Sequence, residues 1–97
     1  MTDLYTDVSN ICDEAVSLAR RAPVDADDLR MKYQVEDCAR TFRLAAEDPH
    51  GLQNSYDLSA AKRIVYEMSS PDQARIMRSY DTQAAYFKLQ GAANRLG

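Results

Sequence analysis

Apolar residues recur along most of this chain at alternating steps of four and three. Leu4, Val8, Ile11, Ala15, Leu18 and Ala22 form the first such series, the spacing that keeps side chains on one face of an α-helix. Thr2 or Asp3 stands where an N-cap would hold its start. Arg20 and Arg21 fall in its last turn, where the negative end of the helix dipole favours cations. Pro23 then disfavours helix at Ala22. Asp25, Asp27 and Asp28 follow, acids suited to the start of a second helix. The stretch RRAPVDADDLRM thus reads as stop, turn and start.

The second helix is predicted from Ala26 to Ala46, with Met31, Val35, Cys38, Phe42 and Ala45 on one face. EDPHGLQNSY, residues 47–56, is the longest irregular stretch, punctuated by Pro49, Gly51 and Asn54. A shorter helix is predicted from Asp57 to Ser69, carrying Leu58, Ala61, Val65 and Met68 on one side. In SSPDQ, Ser70 suits the N-cap, Pro71 the first helical position, and Gln73 the far corner of a capping box. The last helix would start there and run past Gly91. Its first stripe is Met77, Tyr80, Ala84 and Phe87, and a second, Tyr86, Leu89, Ala93 and Leu96, has the same spacing on a displaced face.

No stretch alternates like a strand, and no repeat of 20–50 residues is apparent. The expected fold is all-α: a small antiparallel bundle of three to four helices, with residues 1–97 forming a single helical domain. One helix in so small a bundle cannot easily bury two stripes. The first is therefore assigned to the core, with Tyr80 inside. Tyr86, Leu89, Ala93 and Leu96 are expected to be the partner-binding face.

Composition narrows the function. The chain is 45% hydrophobic and 28% charged, with three Gly and three Pro, too apolar for a disordered tail. No run approaches the roughly 20 apolar residues that cross a bilayer, and the start, MTDLYTDVSN, shows no targeting presequence. Residues 1–48 hold eleven acids and six bases, a balance of −5; residues 49–97 hold four acids and six bases, +2. The halves could attract one another, or the front half could face a basic partner. Arg63, Arg75 and Arg78 are too diluted for a phosphate-tracking stripe, so no nucleic-acid partner is expected.

Chemistry-bearing residues are sparse. The single histidine, His50, lies in a Pro-His-Gly turn and reads as a solvated turn residue. Asp25, Asp27 and Glu36 occupy positions 1, 3 and 12 of an EF-hand loop. Leu29, however, falls where an oxygen ligand belongs, and Arg30 where the sharp turn needs glycine. Cys12 and Cys38 lie about equally far from the Pro23 turn and read as buried or half-buried thiols, since free cysteine packs as a small hydrophobe. They and His50 lack zinc-site spacing. No catalytic residue, metal or cofactor is expected.

Arg20, Arg21, Pro23, Arg30, Arg40, Arg43 and Pro49 resemble the Arg-Arg-x-Pro element and Arg-rich helix of the small matrix-facing subunit of the mitochondrial cytochrome bc complex (complex III), over roughly residues 14–67. The family's Leu before the first proline is Ala22 here, and its Trp and its Tyr-Leu-x-Pro element are absent. Leu4-Tyr5-Thr6 and Phe42-Arg43 also resemble LYR-type proteins, small helical accessory or assembly factors of mitochondrial complexes. Those proteins hold an acidic acyl carrier protein with basic residues, whereas the front half here is −5 and would repel it. Both resemblances imply a non-catalytic accessory subunit docked on protein partners in a larger mitochondrial complex; without them, a cytoplasmic location is expected. The rival readings are a free-standing adaptor or inhibitor of phage or bacterial type, a self-associating bundle and, last, a small enzyme.

Overall fold

Asp3 begins the first helix. Its carboxylate accepts the Thr6 N–H at 2.7 Å and its carbonyl accepts the Asp7 N–H at 3.1 Å, the bonds an N-cap supplies to orphan donors. Hydrogen bonding from Thr6, its backbone N–H first, stabilises the charged carboxylate and holds Asp3 below its ordinary pKa. A computed structural model describes residues 3–21, 26–47, 55–76 and 79–96. It contains α1 (Leu4–Arg21), α2 (Ala26–Glu47), α3 (Ser55–Met68), α4 (Pro71–Ile76) and α5 (Tyr80–Arg95), and no strand among the described residues. The fold is an all-α bundle, as the pattern predicts. Thr2, Ala22, Pro23, Asp25, His50 and Met77 lie outside the described residues, as do the side chains of Asp27 and Asp28.

The last predicted helix is two helices. Ser70 accepts the Gln73 N–H at 3.4 Å and starts α4, but a second start follows at Ser79. That residue is extended, with φ −97° and ψ 122°, and its hydroxyl accepts the Thr82 N–H at 3.2 Å. Ser-Tyr-Asp-Thr, a capping serine with Asp81 in the first turn, marked this boundary in the sequence. α5 continues through Gly91 and closes where the Leu96 N–H reaches the carbonyls of Ala92 and Ala93.

Cross-helix pairs give the directions. As α1 runs from Asp13 to Arg20, its partners on α2 run back from Arg43 to Glu36. As it runs from Asp7 to Glu14, its partners on α5 run back from Arg95 to Lys88. α2 and α5 therefore both lie antiparallel to α1. α3 lies antiparallel to α5: the Tyr66 hydroxyl donates to Asn94 at 2.6 Å, and the Ser69 hydroxyl to the Tyr86 carbonyl at 3.3 Å.

One continuous cluster of buried side chains joins α1, α2, α3 and α5. Val35, Cys38, Phe42 and Ala45 of α2 and Ala61 and Val65 of α3 are buried as expected, with Met31, Leu58 and Met68 partly so. On α1 the buried line is Val8, Cys12, Ala15 and Ala19, while Ile11 and Leu18 flank it and Leu4 is exposed. The expected face is thus rotated. α1 lies against both α2 and α5, and its small side chains point into the junction because they let two neighbours approach closely. Alanine is the commonest buried residue among those described, while Phe42, Tyr86 and Leu89 supply the bulk.

Candidate interaction face

On α5 the two expected stripes exchange roles. Tyr86, Leu89 and Ala93, expected to bind a partner, are fully buried, and Leu96 packs partly buried against the core. Tyr80 and Phe87, expected in the core, are 79% and 52% exposed, with Ala84 half-buried between them. Width decided the matter. Thr82, Ala85 and Ala92 are buried beside Tyr86, Leu89 and Ala93, making a broad apolar band suited to a globular core. The Tyr80 stripe is a single narrow seam. The signal was present in the sequence as extra small residues beside one stripe only.

Tyr86 is anchored from both ends. Its carbonyl takes the Ser69 hydroxyl at 3.3 Å, and its own hydroxyl donates to Gln34 of α2. Burial, with a smaller contribution from Cys38, pushes its phenol well above the ordinary value. This residue ties α5 to α2 and to Ser69 just past the end of α3, and no partner can reach it without opening the bundle.

The outward side of α5 carries a groove of about 290 Å³ lined by Tyr80, Gln83, Ala84, Phe87 and Lys88. Lys88 also borders a second groove of about 470 Å³ along α1, with Asp13, Glu14, Leu18 and Arg21. Its ammonium lies 3.0 Å from Glu14. The two grooves share that lysine. A third, smaller recess between α2 and α3 has Cys38, Ala61 and Ile64 with Asp37 and Asp57 along its lining.

Cys12 and Cys38 are buried free thiols. Desolvation pushes both up to about 11, with Asp37 and Cys12 adding to the effect at Cys38. A thiol held protonated at neutral pH is a poor nucleophile and a poor metal ligand. Among the described residues no three His, Cys, Asp or Glu side chains converge as a metal set, and no helix is long and apolar enough to cross a membrane.

Of the residues behind the two family resemblances, Arg20, Arg40, Arg43 and Phe42 make contacts within the bundle. Arg20 meets Glu36 at 3.1 Å, Arg40 meets Asp37 at 3.3 Å, and Arg43 pairs with Asp13. Phe42 is in the core, and Leu4 and Tyr5 are partly exposed on the first turn of α1. Comparison of the chain with protein-family models, with curated proteins and with solved structures finds no match.

Proposed function

We propose that this chain is a non-catalytic helical interaction domain that docks on protein partners through the outward face of α5. One observation carries the reading: an aromatic pair, Tyr80 and Phe87, stands exposed around a groove on the side of the helix away from the core. Aromatic side chains bring large contact area at low entropic cost, and contiguous exposed ones mark interaction sites. Within this reading the chain is an accessory subunit of a larger assembly, and the resemblance to the complex III subunit makes a mitochondrial respiratory complex the first assembly to test.

A free-standing adaptor or inhibitor of a single protein target is the second reading, and the closed core favours it. Tyr86 and Leu89 are covered by the chain's own helices, so a large partner is not required to complete the hydrophobic interior. A photo-crosslinking residue in place of Ala84, used in extracts of the native source, tests the docking face. Crosslinked partner peptides should appear, and Phe87→Asp in the same bait should abolish them. Capture that persists unchanged with Phe87→Asp sinks the proposal. Co-migration of the captured partner with an assembled respiratory complex, or with one separate protein, separates the two readings.

A further inference from the structure

Tyr80, Ala84, Phe87 and Gly91 follow one another on α5 at steps of four, three and four, on the side opposite the buried Leu89. Large alternates with small. Read backward, the stripe becomes small, large, small, large. An antiparallel copy of the same helix therefore sets each Tyr80 over a Gly91 and each Phe87 over an Ala84. A parallel copy would set large on large and small on small, leaving collisions beside voids. We infer that a second copy of this chain docks on this face, the two α5 helices pairing antiparallel about a twofold axis between Ala84 and Phe87. The inference rests on the interaction reading above and gives that face its occupant.

Three further features agree. Asp81 and Lys88 each follow a seam residue and lie on the same flank of it. In antiparallel helix pairs the same flanks meet, so Asp81 of each copy faces Lys88 of the other, twice by symmetry. Lys88 already meets Glu14 at 3.0 Å, and its remaining donors can serve the second carboxylate. Gln83 and Gln90 lie on the other flank and meet likewise, amide to amide. Gly91 supplies the third feature. Among the described residues a Cβ there would meet nothing within 4 Å, so they give no steric reason for glycine in mid-helix, where it is less stable than alanine. A tyrosine ring seated over that position supplies one.

A single helix pair buries less than a standard interface, so the dimer should be weak, on the order of tens of micromolar. Sedimentation equilibrium of the full chain, from about 1 µM to 1 mM, reads it directly. The mass should climb from 10.9 kDa towards twice that value. Gly91→Leu fills the tyrosine's seat from a position where an added Cβ meets nothing among the described residues, and should weaken the dimer at least about ten-fold with the circular dichroism melt intact. Asp81→Lys and Lys88→Asp should each weaken it about five-fold or more, and the two together should restore it.

A chain that stays at 10.9 kDa throughout, a dimer indifferent to Gly91→Leu, or a double swap that restores nothing would each overturn the self-pairing. The interaction reading is judged separately. A monomeric chain whose partner capture still fails on Phe87→Asp loses the self-pairing and keeps the docking face. A dimer of this design whose Phe87→Asp variant keeps its heterologous partner does the reverse.

Discussion

Thr82 is fully buried in the first turn of α5, and its hydroxyl oxygen has no hydrogen-bond partner among the described residues. A buried, unpaired hydroxyl costs about 1–3 kcal/mol, and valine has nearly the same shape without it. Thr82→Val should therefore stabilise the chain by about 1 kcal/mol, seen as a higher urea midpoint at unchanged slope. A lower midpoint would mean that the hydroxyl is satisfied after all. Gly91 gives a second gain of a different origin. Because a Cβ there meets nothing within 4 Å among the described residues, Gly91→Ala should add about 0.5–1 kcal/mol, raising the thermal midpoint by several degrees; a fall would show strain absent from the described contacts. Neither effect can be read from periodicity, since threonine and glycine in a helical stretch do not announce what surrounds them. Phe42 and Val35 are different: each lies on the only strong stripe of its helix, and the four-three spacing alone placed them in the core.

Helices show the same divide. The start of α2 at Ala26 was legible from the pattern, and the start of α4 was legible because a capping serine, Ser70, sets it locally. Which face of α5 turns inward was not settled by spacing, because two stripes satisfy it equally; the choice depends on the breadth of the band that three neighbouring helices must cover. α1 erred more mildly, its seam rotated towards Cys12 and Ala19 because it packs against two helices at once. The break before α5 rests on Ser79, so Ser79→Ala should cost about 1 kcal/mol by removing the bond to the Thr82 N–H. An unchanged chemical-denaturation curve would show that the cap is dispensable. Truncation after Gly91 tests the inward face. It deletes the buried Ala92 and Ala93, the partly buried Leu96, and the Arg95–Asp7 and Tyr66–Asn94 contacts. The loss should be on the order of 3 kcal/mol, lowering the thermal midpoint by at least about 10 °C. A truncated chain as stable as the intact one would return those residues to the surface.

Across the whole molecule, the acidic front half and basic back half do meet, through Glu14 with Lys88 and Asp7 with Arg95. The charge split made that attraction one of two options, and could not reveal that Asp13 and Glu36 would instead find arginines within the front half. All these pairs are at least partly exposed, and such pairs contribute little each. The pH dependence at the alkaline end should therefore come from the interior, where Cys12 and Cys38 are pushed from 9.0 up to about 11, first by desolvation. Below about pH 9 both thiols are protonated whether the chain is folded or not, and their contribution is fully present. Between about pH 9 and 11 the unfolded chain releases these protons while the folded chain holds them, so the unfolded state gains and stability falls as pH rises. Tyr86, raised in the same direction, extends the loss further up. The urea midpoint, measured under reducing conditions from about pH 8.5 to 10.5, should drop steadily. Combining Cys12→Ala with Cys38→Ala will lower the midpoint at every pH by leaving small cavities, so the slope against pH is the quantity to compare. That slope should become shallower in the double variant, with the remainder carried by Tyr86. An equal slope in both chains would show that the thiols ionise as readily inside the bundle as outside it, and that α1 and α2 do not seal the space between them.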